Sequence, residues 1–142
     1  MDHIPFDPDG GVLFAEVLSG FAQPGSYEFR LWEADTAVLR GQNVLVMRRH
    51  GNFINADDDA YALPTPSARN HRRIVQAIVT LAPLPPERRY RGTLRILQDG
   101  RVLGEVSVPA DPEGGTTTEP TVTLNLFARL VRADAEDPEV PA

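Results

Sequence analysis

Apolar and polar residues alternate with period two over much of this chain. In 26–34, Tyr27, Phe29 and Leu31 fall on one side and Glu28, Arg30 and Trp32 on the other. That is the pattern of a strand with one buried face. Residues 121–131 repeat it, with Val122, Leu124, Leu126, Ala128 and Leu130 set against Thr123, Asn125, Phe127 and Arg129. Shorter apolar runs at 12–18, 44–48 and 60–63 end at Ser19-Gly20, His50-Gly51-Asn52 and Pro64-Thr65-Pro66-Ser67. Their length and punctuation favour strands over helices. Residues 37–40 read as a short extended piece, and 1–10, rich in Asp and Pro, as an irregular lead-in.

The segment 69–82 fits two periods. Ile74, Val75, Ile78 and Val79 have helical spacing, and Ser67 stands where it could cap such a helix. The β-branched residues favour a strand instead, with Val75, Ala77, Val79 and Leu81 on one face. The strand is the reading adopted.

Residues 90–109 carry the clearest hairpin signal, two apolar runs around Gln98-Asp99-Gly100. A two-residue Asp-Gly turn alone would set Leu94 and Ile96 on the face opposite to Val102, Val106 and Val108. A three-residue loop of Gln98, Asp99 and Gly100 removes the conflict. Ile96 then faces Val102, Leu94 faces Gly104, Gly92 faces Val106 and Tyr90 faces Val108. This register assigns Leu94, Ile96, Val102, Val106 and Val108 to the core and turns Arg91, Arg95 and Arg101 outward.

Seven to nine short strands follow from these patterns, and the 13 prolines and 11 glycines leave little room for long helices. The expected fold is all-β, an antiparallel two-sheet β-sandwich of immunoglobulin-like or C2-like type, with a jelly roll also compatible. The immunoglobulin Cys…Trp…Cys signature is missing. At 142 residues and 42% apolar content the expected count is one domain, 1–132. The acidic, Pro-containing segment 133–142 reads as a disordered tail.

Composition narrows the chemistry. The chain has no cysteine, which removes disulfides and thiolate zinc sites. All 14 basic residues are arginine, so no lysine can form a Schiff base or grip a phosphate in a P-loop. No apolar run approaches the roughly 20 residues of a membrane-spanning helix. Met1-Asp2-His3-Ile4-Pro5 is not a signal peptide, so the expected location is cytoplasmic. The formal charge of −6 disfavours nucleic acid as a partner. It is uneven, because eight arginines in 69–101 face only Glu87 and Asp99.

No nucleophile elbow surrounds Ser19, Ser26, Ser67 or Ser107, and no Walker A, G-x-G-x-x-G or H-E-x-x-H motif occurs. His3, His50 and His71 stand far apart. The expectation is a protein without catalytic activity and without a cofactor. Three binding candidates remain. Asn55, Asp57, Asp58 and Asp59 offer hard oxygen ligands suited to Ca²⁺, with Asp7, Asp9 or Asp99 able to complete a site; the same residues also suit a solvated turn. Arg69, Arg72, Arg73, Arg88, Arg89 and Arg91, with His71 and Tyr90 nearby, could dock an anion or an acidic partner, or pair with the protein's own acids. Trp32 and Phe127 lie on the polar side of their strands and could form an exposed aromatic patch, or lie under a second layer.

The function expected is a binding, adaptor or assembly protein that engages another protein, or a second copy, through a sheet face or edge strand. A Ca²⁺- or carbohydrate-binding module is the first alternative, and an enzyme without a recognisable motif the second.

Overall fold

The computed structural model describes residues 1–21, 23–33, 43–53 and 60–134 of the chain. The described residues are all-β, with 59% of them in strands. They comprise β1 (His3–Phe6), β2 (Leu13–Ser19), β3 (Gly25–Glu33), β4 (Val44–Asn52), β5 (Ala60–Ala62), β6 (Ile74–Leu81), β7 (Arg89–Tyr90), β8 (Gly92–Gln98), β9 (Arg101–Val108), β10 (Gly115–Thr116) and β11 (Val122–Arg132), with one 3₁₀ turn at Ser67–Asn70. The ambiguous segment is the strand β6, and Val75, Ala77, Val79 and Leu81 are all fully buried. Ser67 caps no helix. Its hydroxyl instead donates to the Gly11 carbonyl at 2.7 Å.

The strands form a five-stranded sheet in the order β1-β11-β6-β3-β4, a four-stranded sheet in the order β5-β2-β8-β9, and the small β7–β10 pair. Neither larger sheet closes on itself. Their buried faces share one core. Phe29, Leu31, Val75, Val79, Leu126 and Leu130 come from the first sheet, and Leu13, Val17, Leu94 and Ile96 from the second. The period-two pattern arises here, since β2, β3, β6 and β11 each have one face in this core and the other turned away.

Residues 1–10 are not an irregular lead-in. Ile4 and Phe6 are buried, and β1 pairs in parallel with β11, so the fold is not wholly antiparallel. Ile4 also lies against Gly104, which brings the β1 edge of one sheet onto the β9 edge of the other. Strand β4 does not stop at His50. It runs to Asn52, and Gly51 lies across from Tyr27, whose ring occupies the space a side chain there would need. The expected loop 109–120 contains β10, which pairs with β7, so Tyr90 belongs to that pair and not to β8.

The 90–109 hairpin corrects the three-residue loop. Gln98 faces Arg101 and Leu97 faces Val102, so Asp99 and Gly100 alone make the turn, with φ of +52° and +75°. Two successive positive φ values define the hairpin turn whose twist matches the strands. The extra residue that parity demands lies further on. The register shifts so that Ile96 faces Gly104, Leu94 faces Val106 and Gly92 faces Val108, which leaves Leu103 as a bulge. Leu94 and Ile96 are buried, Val106 and Val108 pack against the core, and Val102 is 49% exposed, outside it. Arg101 is exposed as expected. Arg95 is half-buried and pairs with Glu105 at 3.1 Å.

Gly100 and Gly114 share a φ of +75° but differ in surroundings. Nothing lies within 4 Å of where a Gly100 side chain would begin, whereas at Gly114 it would stand 2.5 Å from the Phe21 ring and 2.6 Å from the Tyr90 carbonyl oxygen. Gly100→Ala is expected to cost about 1 kcal/mol, the penalty of the left-handed region alone. Gly114→Ala adds overlap with backbone and should cost about 2–3 kcal/mol. Urea midpoints of the two variants check this, and equal losses would contradict it.

Candidate functional site

The outward side chains of the five-stranded sheet lie in rows fixed by its register. One row runs Arg129, Ile74, Trp32, Leu45, and the next Phe127, Gln76, Arg30, Arg48. Then come Asn125, Ile78, Glu28, His50 and finally Thr123, Thr80, Ser26, Asn52. Trp32 and Phe127 therefore stand in adjacent rows on either side of β6. With Ile74, Gln76 and Asn43 they line a shallow groove of about 250 Å³. Phe127 is 42% exposed, and Leu45 and Val44 at the start of β4 are exposed as well.

Polar contacts hold the groove in shape. The Trp32 indole N–H donates to Gln76 Oε1 at 2.8 Å, and Gln76 Nε2 donates to Asn125 Oδ1 at 3.0 Å. Gln76 thereby fixes the orientation of the indole, and a fixed aromatic presents contact area at little entropic cost on binding. The Arg30 guanidinium lies 5.9 Å from the centre of the Trp32 ring and pairs with Glu28. Glu28 also takes Arg48 at 2.6 Å and approaches His50 at 3.5 Å. The face is thus an apolar centre rimmed by basic groups that share one carboxylate.

The arginine candidates do not form a single surface. Arg69, Arg72 and Arg73 precede β6, and Arg88, Arg89 and Arg91 follow it, so the length of that eight-residue strand, roughly 25 Å, separates the two groups. Arg73 is buried. Its Nε meets Glu33 Oε2 at 2.7 Å and its Nη1 donates to Asn70 Oδ1 at 3.1 Å. Arg91 donates to the Pro109 and Ala110 carbonyls. Arg89 lies over the Phe21 ring at 5.6 Å, with Glu87 at 3.5 Å and Glu113 at 3.7 Å. Arg69 reaches the Thr65 carbonyl at 3.5 Å, and the Arg72 backbone N–H bonds the Leu130 carbonyl at 2.7 Å. The His71 imidazole Nδ1 accepts the Arg132 backbone N–H at 3.0 Å. Arg73 and Arg89 thus meet acids of the protein itself, the pairing the sequence left open for the group, while Arg69 and Arg91 reach backbone carbonyls.

Asn55, Asp57, Asp58 and Asp59 lie outside the described residues. The acids proposed to complete their site are engaged locally: Asp7 Oδ1 accepts the Asp9 N–H at 2.9 Å, and Asp99 Oδ2 accepts the Gly11 N–H at 3.3 Å. Among the described residues no three His, Asp or Glu side chains converge to hold a metal ion. Arg132 forks onto Asp134 at 3.1 Å through both oxygens, and that bond holds the Asp134 carboxyl below its ordinary value.

Sequence reasoning missed Ile74, Gln76 and Leu45 as parts of the face. A signal was present in β6, where Ile74 and Ile78 make the second face partly apolar too. No described helix is long and apolar enough to cross a membrane. Compared with protein-family models, with curated proteins and with solved structures, the chain matches none.

Proposed function

We propose that this protein is a non-catalytic binding module that engages a protein partner through the outer face of its five-stranded sheet. The observation that carries this reading is the groove where Trp32 and Phe127 meet over Ile74 and Gln76. Protein interfaces favour a few aromatic anchors at the centre and arginine around them, and Trp and Arg are the residues in which binding energy concentrates. Arg30, Arg48 and Arg129 share this face with Trp32. The two larger sheets are read as the layers of a sandwich of immunoglobulin-like or C2-like kind, supported by the core that both faces share. A cytoplasmic setting fits the absence of cysteine.

The test compares the native chain with the Trp32→Ala, Phe127→Ala double variant. A protein recovered with the native chain is purified and titrated against both. The double variant should keep its fold and bind at least about tenfold more weakly, since anchor residues commonly contribute above 1–2 kcal/mol each. Equal affinity for the two forms defeats the reading. So does saturable quenching of Trp32 fluorescence by neutral oligosaccharides with no protein bound, which would assign the rings to sugar stacking.

A further inference from the structure

The chain between β2 and β3 and the loop that follows β6 meet β7 at the ends of β3 and β6 away from the Trp32 groove. Phe21, Gln23, Leu84, Pro86, Glu87 and Arg89 line a pocket of about 360 Å³ there. Backbone bonds hold its walls in place. The Gly20 N–H donates to the Arg91 carbonyl at 2.7 Å, Ala82 to Pro24 at 2.9 Å and Arg88 to Leu84 at 3.0 Å. The Phe21 ring lies against Gly114 and under the Arg89 guanidinium, which stands 5.6 Å from its centre. Walls set in advance reduce the ordering cost of binding.

Gln23 is the deepest of the lining residues, 5% exposed where Leu84 is 56%. Its Nε2 donates to the Arg89 carbonyl, an oxygen that can only accept, and this fixes which way the amide points. Oε1 is left buried, and among the described residues it meets no donor. A buried acceptor without a partner costs free energy that a ligand's donor returns.

The rest of the lining narrows what carries that donor. Phe21, Leu84 and Pro86 call for an apolar body. The Arg89 guanidinium already has Glu87 at 3.5 Å and Glu113 at 3.7 Å, so no charge is required of the ligand. A hydroxyl would bury its own lone pairs beside an acceptor. An indole has one donor, no acceptor and an otherwise apolar ring, and its face is the best of the aromatic faces for a guanidinium.

We infer that the pocket over Gln23 binds an indole. The ring N–H donates to Gln23 Oε1, and the ring packs among Phe21, Leu84 and Pro86 beside Arg89. The indole comes from a free small molecule or from a tryptophan side chain of a peptide, and the two differ only in what flanks the ring. This inference does not depend on the Trp32 face.

A ¹H–¹⁵N NMR titration of the full chain with 3-methylindole and with N-acetyl-tryptophanamide tests it. Saturable shifts are expected at Gln23, Arg89 and Gly114, with a Kd of about 1 mM or below for at least one of the two. Tighter binding of the capped tryptophan supports the inference with a peptide as source, and tighter binding of 3-methylindole supports it with a free small molecule. 3-Methylbenzofuran, which carries oxygen in place of the N–H, should bind about tenfold more weakly than 3-methylindole. Leu84→Ala should weaken binding about threefold or more. Leu84 is exposed, so the variant should fold, and its melting curve confirms it. The Trp32→Ala, Phe127→Ala variant should bind as the native chain does. No saturable shift with either probe, equal binding of the benzofuran, indifference to Leu84→Ala, or shifts centred on Trp32 and Phe127 each overturns the inference.

Discussion

Phe29→Ala will lower the unfolding free energy by about 4 kcal/mol, near the upper end for such truncations. Phe29 is fully buried at the centre of β3, stacked on Tyr61 with ring centres 6.1 Å apart. Its neighbour across to β6 is Ala77, too small to move into the vacated space. A cavity that cannot collapse adds its own cost to the lost transfer free energy. For a domain of this size the melting temperature should fall by about 10–15 °C. Phe127→Ala is the matched control. The same atoms are removed from a ring 42% exposed on the outer face, and the expected loss is about 1 kcal/mol or less. Urea unfolding of both variants, with unchanged slope, measures the difference. Similar losses at the two positions would mean that Phe127 is a structural residue, and the face would lose its second aromatic as a binding group.

That pair of phenylalanines also shows what the sequence could and could not reveal. Both rings sit where parity puts them, because β3, β6 and β11 are long strands with one face in the core, and a half-buried strand imprints period two on its residues. Strand β1 left no such imprint. Four residues hold only Ile4 and Phe6 as buried positions, and its pairing joins His3 to Arg129, a contact without any local signal. The hairpin failed differently. Parity requires one extra residue between Ile96 and Val106 but cannot say where it sits. A three-residue loop and a two-residue turn followed by a bulge treat Leu94, Ile96, Val106 and Val108 alike. They differ at Val102 and Leu103, which the structure turns out and in respectively. The deciding fact is that Asp tolerates the left-handed conformation well enough to stand at the first position of the tighter turn.

The candidate site was legible by halves for a related reason. Parity alone marked Trp32 and Phe127 as outward residues. Their convergence needs β11 and β3 to flank β6, and that order is not sequential. The arginines erred in the opposite sense: proximity along the chain was read as proximity in space, and a full strand intervenes.

Arg73 provides the sharpest test of that correction. Its side chain is only 9% exposed and its two bonding nitrogens reach different partners, Glu33 at 2.7 Å and Asn70 at 3.1 Å. Asn70 is itself fully buried and donates through Nδ2 to the Pro64 carbonyl at 3.0 Å. Arg73 therefore anchors the 3₁₀ turn to the end of β3. Removing one partner of a buried ion pair costs about 3–5 kcal/mol when the other stays dry. Glu33 is 34% exposed and can regain water, so Arg73→Ala should cost about 2–3 kcal/mol. Arg73→Lys should recover less than half of that, because one ammonium cannot reproduce a fork that addresses two acceptors. Added salt should change the loss little, since the guanidinium is sheltered from ions. Chemical denaturation at low and high salt supplies the measurement. A destabilisation below about 0.5 kcal/mol, the range of ordinary surface substitutions, would return Arg73 to the pool of residues free to bind an external anion. A loss of about 3 kcal/mol makes Arg73 a structural residue that ties the 3₁₀ turn to the end of β3.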